Sequence, residues 1–290
     1  MTSFLINPYR FGAAAPLLLD LYPGAAAAYS LRQLRTGVTS VVRVRRSSDN
    51  TEADFTAAEV TDGTLTAWVG AGNNGFVRTW YDQSGNSRDA TMSVTTQQPQ
   101  IVSAGVLSVV NSKPGLFFDG TNDYLSFSEI NLDAATFSAV SLRTSSNQYQ
   151  SIFAVGNPSQ SYGSISLSIN NDSSYGPLIV PVRANSTTHA KGGLLRQNAQ
   201  RLITGTWDGV SNTALSSFGI WDNGAGVSLS SSSAVGIDSS TESGIGIAYS
   251  LGSRVSYWGG AIQEVVIWPT SLSASRAGID ANINGHFAIF

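Results

Sequence analysis

The chain has 290 residues, 42% of them hydrophobic, which is enough for a sizeable core, yet only 12% are charged, against about 25% in an average globular protein. A formal net charge of -3, from 16 basic and 19 acidic residues spread along the chain, leaves no basic stripe to neutralise phosphates, so nucleic acid is excluded as a partner. The absence of cysteine excludes disulfides, thiolate metal sites and cysteine nucleophiles, and no apolar run approaches the roughly 20 residues that span a bilayer, so the chain reads as soluble with no membrane partner.

Residues 1–22 read as an N-terminal docking arm, because they set the apolar anchors Phe4, Ile6, Tyr9 and Phe11 among prolines without sustained periodicity. Residues 13–19 are apolar but follow Arg10 alone and end at Asp20 with no small-residue cleavage site, so they do not read as a signal peptide. Residues 23–35 suggest a helix: Pro23 and Gly24 open it, four alanines favour it, and Leu31 and Leu34 give it an apolar edge. Residues 41–46 alternate as a strand. Asp62 is placed to cap a short helix through Trp68 that Gly70 and Gly72 end.

From residue 76 the period changes to short β-type runs between turn residues, among them FVRTWY (76–81), FSAVSL (137–142), RLITGTW (201–207) and AIQEVVIW (261–268). This spacing predicts an all-β fold, a two-sheet antiparallel jelly-roll sandwich with short helices near both ends. Ile165, Leu167 and Ile169 alternate with polar residues and predict a strand with one buried face. A single domain is expected over 23–290, with a helical and strand lead-in at 23–75, the main sandwich at 76–270 and a C-terminal helix at 273–287. In that helix Ser273 is the expected N-cap and Ile279, Ile283 and Phe287 form one stripe.

Arg43, Arg45 and Arg46 carry guanidinium forks suited to a glycan or an acidic partner, or to structural bridges with Asp49 or Asp82. Asp82, Gln83, Asn86 and Asp89 sit in a turn after a strand, where function often resides, although Asx-turn chemistry also accounts for them. Asp119, Asn122 and Asp123 offer the hard oxygens that calcium takes, within a turn that a capped β-turn also explains. No other cofactor is indicated. Tyr257 and Trp258, followed by two glycines, are expected at a strand end as an aromatic platform for sugar, whereas Trp80 and Trp268 lie among apolar neighbours and are expected in the core. The carbohydrate-binding candidates are therefore Arg46, Asp82, Asn86, Tyr257 and Trp258, and the metal candidates Asp119 and Asp123. No catalytic residue is assigned: His189 and His286 lack an H-E-x-x-H context, and no serine stands in a G-x-S-x-G elbow.

Three motifs taken together, AAYSLRQLRTG with VRVRRSSDN (27–37 and 42–50), TWYDQSGN (79–86) and FDGTNDYLSF (118–127), carry a resemblance. They resemble the catalytic domain of the fungal B-type α-L-arabinofuranosidases, a concanavalin-like β-sandwich, and also tailed-bacteriophage structural proteins built on the same laminin-G-like jelly roll. INPYRF at 6–11 and the arginine-led helix from Arg276 to Asn284 resemble the two ends of the phage proteins. The arabinofuranosidase resemblance implies a nucleophilic carboxylate in an M-E-A-I-Y-L-G motif and an acid/base carboxylate after G-I-G-G-D-N. The counterparts here, YGSISLSIN (162–170) and GIAYSLG (246–252), contain no acid, and Ser250 stands where the aspartate would be. The phage resemblance implies a non-enzymatic virion protein of a tail, baseplate, fibre or head-decoration position, made in the bacterial host cytoplasm. It would dock on other virion proteins through Phe4, Ile6, Tyr9 and Phe11, with a host surface glycan as a second ligand. A homo-oligomer is expected as well, because residues 128–270 hold Lys191 as their one lysine to guard strand edges. The alternatives are a glycoside hydrolase acting on arabinose-containing polysaccharide, which needs a carboxylate pair in a pocket, and a bacterial lectin-like surface module.

Overall fold

The computed structural model describes residues 16–145, 149–156, 165–170, 177–181, 188–191, 197–211, 214–233, 243–250 and 253–290. They form the expected all-β jelly-roll sandwich, with every strand pair antiparallel. Gly259–Trp268 lies at the centre of one sheet and is buried at every position, as its near-continuous apolar sequence requires of a strand covered on both faces. On one side it pairs along its length with Ala135–Arg143, beyond which lie Gln200–Trp207 and Phe218–Asp222. On its other side Ala27–Ser30 and Leu116–Asp119 pair with successive halves of it.

The second sheet runs Glu52–Phe55, Val42–Arg46, Gly75–Trp80, Ala90–Thr91, Leu125–Phe127, Ser243–Ile245, Tyr149–Val155, Ile165–Asn170 and Pro177–Pro181. A short strand, Gln100–Ser103, pairs with both Gly75–Trp80 and Leu116–Asp119 and so joins the two sheets along a seam. Between the sheets lies one core, which includes Trp80, Phe137, Phe153 and Ile267; a second core fills the outer face of the first sheet, where Val140, Leu202 and Trp268 meet Ile279, Ile283 and Phe287. Trp80 and Trp268 are both fully buried, as their neighbours predict.

The alanine-rich residues 23–35 do not form the expected helix. Ala27–Ser30 is instead a strand buried at all four positions, with Ala27 in the first core and Ala28 in the second. Alanine's helix preference is worth only tenths of a kcal/mol over most residues, and pairing with the central strand outweighs it. Residues 16–22, assigned from sequence to the docking arm, also belong to the domain. Leu18–Leu21 is a short helix whose Leu18 and Leu19 are buried in the second core. The Leu19 N–H donates to Leu34 O at 2.8 Å and the Trp268 indole donates to Tyr22 O at 2.9 Å. Phe4, Ile6, Tyr9 and Phe11 lie outside the described residues.

The helix expected at 62–68 is found at Thr64–Val69, with Asp62 accepting the Thr64 N–H and Gly70 ending it at φ +84°. A further helix, Ala57–Thr61, precedes it and is closed by a reciprocal capping box between Thr56 and Glu59. The C-terminal helix spans Arg276–Phe287 and buries the predicted stripe, but Ser275 rather than Ser273 holds its N-cap position. Asp280 pins it to the sheet, accepting from Thr204 at 2.6 Å and from Arg276 at 2.8 Å. Among the described residues no helix is long and apolar enough to cross a membrane.

Candidate functional site

The TWYDQSGN turn is a clasp for the chain around Ala27–Ser30. Asp82 Oδ1 accepts the Ala28 and Ser84 N–H groups, and its Oδ2 accepts the Ser84 hydroxyl and the Arg88 N–H. Gln83, 2% exposed, accepts the Leu34 N–H and donates to the Ser30 and Arg32 carbonyls. Asn86 donates to the Ala25 and Ala26 carbonyls. Asp82 and Asn86 are therefore committed to holding this backbone, and their expected role in glycan binding is not supported. Arg46 is committed as well: it forks onto Asp49 at 2.6 and 3.0 Å, donates to Trp68 O, and stacks over the Trp68 ring. The fork and the Thr51 hydrogen bonds hold the Asp49 carboxyl well below the usual carboxylate range.

The expected aromatic platform also gives way. Trp258 is fully buried in the sandwich core, with its indole N–H on Ala261 O, so neither ring face is open to a sugar. Tyr257 is half-buried against Tyr124, with ring centroids 6.3 Å apart.

Asp119 and Asp123 clamp one turn reciprocally. Asp119 Oδ1 accepts the N–H groups of Thr121, Asn122 and Asp123, and Asp123 Oδ2 accepts the Asp119 N–H. Burial, and then the neighbouring Asp119 charge, push the Asp123 carboxyl up to about 7. Among the described residues no group of three or more Asp, Glu or His is arranged to hold a metal. The reciprocal clamp is the geometry of the capped turn that the sequence suggested.

The two segments that resemble the arabinofuranosidase catalytic motifs lie close together. Ile165–Asn170 pairs with Tyr149–Val155, and that strand pairs on its other side with Ser243–Ile245, which leads into 246–252. In the first segment Ser166 and Ser168 are both buried, with Ser168 Oγ 2.6 Å from Ser151 Oγ and donating to Ser166 Oγ at 3.1 Å. In the second, Ser250 ends the strand Ala248–Ser250; residues 251 and 252 lie outside the described residues.

Sequence reasoning did not find the cleft at the seam, which has a volume of about 550 Å³. Arg45, Phe76, Gln100 and Phe117 are successive cross-strand partners on four adjacent strands, so their side chains form one row across the outer face. Thr95, Thr96, Gln98, Asp119 and Asp123 line it as well, and their two segments meet where the Tyr124 N–H donates to Gln97 O at 3.2 Å. Arg45 is 7% exposed and forms no ion pair with a carboxylate among the described residues. It donates instead to Gln98 Oε1, Asn50 Oδ1 and Thr95 O, and its guanidinium lies 4.9 Å from the centre of the Phe76 ring. Desolvation lowers its pKa. Behind the cleft, a Cβ at Gly246 would stand 2.5 Å from the Phe118 ring, so the second motif segment backs directly onto this lining.

No family model matches the chain, and no curated protein matches it. Among solved structures it is similar to a GH54 α-L-arabinofuranosidase soaked with a cyclic sulfate inhibitor, with 16% identity and a TM-score of 0.60. It is similar also to an arabinofuranosidase complexed with arabinofuranosyl-α-1,2-xylobiose, with 17% identity and a TM-score of 0.60. Both matches cover 92% of this chain but only 64% of the other. At this identity the likeness is one of fold.

Proposed function

We propose that the chain is a non-hydrolytic structural protein of a tailed-bacteriophage particle. The observation that carries the non-hydrolytic part is the pair of neighbouring strand segments that resemble the catalytic motifs and contain no acid. Retaining glycosidases need two carboxyl groups about 5–5.5 Å apart, one to attack and one to protonate the leaving group. Buried serines bonded to one another do neither. The virion assignment rests on INPYRF at 6–11, the helix from Arg276 to Asn284 and the low charge of the chain. In this reading the partners are other virion proteins and further copies of the chain, and the protein resides in the particle.

Mass spectrometry of particles purified by density gradient from the induced source organism tests the assignment. Peptides of this chain should appear at a stoichiometry comparable to known structural proteins. Their absence from particles, with recovery in the culture supernatant, would favour a secreted lectin-like module.

One observation favours hydrolysis as a second reading. Asp119 and Asp123 are neighbouring carboxyls in a cleft, and burial pushes the Asp123 carboxyl up to about 7, as a general acid requires. Against it, both belong to one tight turn and bond to each other's backbone, whereas the glycosidase carboxyls flank the scissile bond. Replacing either with asparagine separates the two readings, because only hydrolysis needs the acid.

A further inference from the structure

We propose that the cleft at the seam between the sheets is a binding site for an uncharged oligosaccharide of two or three sugar units. The floor of the cleft supplies the first argument. Phe76 and Phe117 lie two strands apart with Gln100 between them, and adjacent strands are about 4.8 Å apart, which separates the rings by about 10 Å. All three side chains are half-buried and reach the cleft. Two apolar rings with an amide between them match successive sugar rings, which present an apolar face and a polar edge.

The walls supply hydrogen-bonding capacity that the fold does not consume. Arg45 spends one N–H from each of its three nitrogens on the protein, and two remain for the cleft. Asp119 Oδ1 is saturated by three backbone N–H groups, while Oδ2 is not engaged by that clamp. Thr95 and Thr96 are exposed residues of the cleft lining, each with a hydroxyl that can donate and accept. A carboxyl that is neutral for part of the time at Asp123 both donates and accepts, as a sugar hydroxyl does.

Charge selects among ligands. An anion would meet Asp119 and Asp123, and a cation would meet Arg45, which is nearly buried and cannot move away. A neutral ligand with alternating donors and acceptors satisfies both sides. A cleft of about 550 Å³ is far larger than one monosaccharide needs and accommodates two or three units. The site lies outside the two segments at 162–170 and 246–252, and the inference holds wherever the chain is assembled.

The test is calorimetry and saturation-transfer NMR on the full chain at pH 6. The probes are xylotriose, maltotriose, mannotriose and arabinotriose, with 3′-sialyllactose and calcium chloride as charged counterparts. At least one neutral trisaccharide should bind. Phe117→Ala and Gln100→Ala should each weaken it about five- to ten-fold, while Tyr257→Ala leaves it unchanged. Thr96→Trp, at an exposed position on the wall, should block the site without touching the core, so the test stands even if Phe117→Ala fails to fold. Failure of all four neutral sugars to bind, tighter binding of sialyllactose or calcium, or binding that survives Thr96→Trp would overturn the proposal.

Discussion

Asp82 accepts the backbone N–H of Ala28 at 2.9 Å, across a separation of 54 residues. This bond ties the most recognisable motif in the chain to a strand at the heart of the sandwich. Ala27–Ser30 has its central partner on one edge only, so the clasp satisfies backbone groups on the other edge that would otherwise be buried unpaired. Asp82→Ala removes an acceptor of four hydrogen bonds and should destabilise the fold by about 2–4 kcal/mol. Urea unfolding measures this; a loss below about 0.5 kcal/mol would mean that the turn is free for another role.

Arg32 and Glu264 form a second buried link. Glu264 is fully buried and accepts Arg32 in a two-pronged contact at 2.7 and 3.0 Å, with Ser30 Oγ as a third donor. Arg32→Met leaves the carboxylate buried without its counter-charge and should cost about 3–5 kcal/mol. The double variant Arg32→Met/Glu264→Leu should recover much of that loss. A double variant no more stable than the single one would show that the remaining contacts matter more than the charge.

Leu18 sits at 0% exposure in the second core. Leu18→Ala should therefore lower stability by about 2–5 kcal/mol, and a chain starting at Pro23 should lose at least that much stability and melt at a lower temperature. Unchanged melting of the shortened chain would return residues 16–22 to the arm.

Asp123 gives the fold a local pH dependence. Its carboxyl titrates at about 7 in the folded chain and near 4 when unfolded. The folded state therefore binds this proton more tightly, and the residue's contribution is fully present below about pH 4 and lost as pH rises through 7. Asp123→Asn keeps an acceptor for the Asp119 N–H but cannot ionise. Relative to the parent it should gain on the order of 1–2 kcal/mol at pH 8, discounted for solvent screening, and little at pH 4. An equal effect at both pH values would contradict the assignment.

The sandwich, most of its strands and the buried helical stripe were legible because each depends on a local period, about four for Ile279, Ile283 and Phe287; the period of two at 165–169 gave the strand but not its burial, because Ser166 and Ser168 are buried along with Ile165 and Leu167. The Ala27–Ser30 strand was not, because four alanines carry no period and only pairing with Gly259–Trp268 decides their state. The Ala57–Thr61 helix did leave a signal, the T-x-x-E capping box at Thr56 and Glu59. Site residues were harder. Asp82, Asn86 and Arg46 have the chemistry of recognition, and sequence cannot show that backbone groups consume it. The row Arg45, Phe76, Gln100 and Phe117 is spread over 73 positions and exists only through strand register, which no linear motif records.

The most direct test of the account is turnover of 4-nitrophenyl α-L-arabinofuranoside, the compound soaked into a variant of one similar enzyme. No release of 4-nitrophenol above the uncatalysed rate is expected, at any pH from 4 to 8 and at high protein concentration. Release that scales with protein and disappears in Asp119→Asn or Asp123→Asn would contradict it and make the cleft a catalytic site.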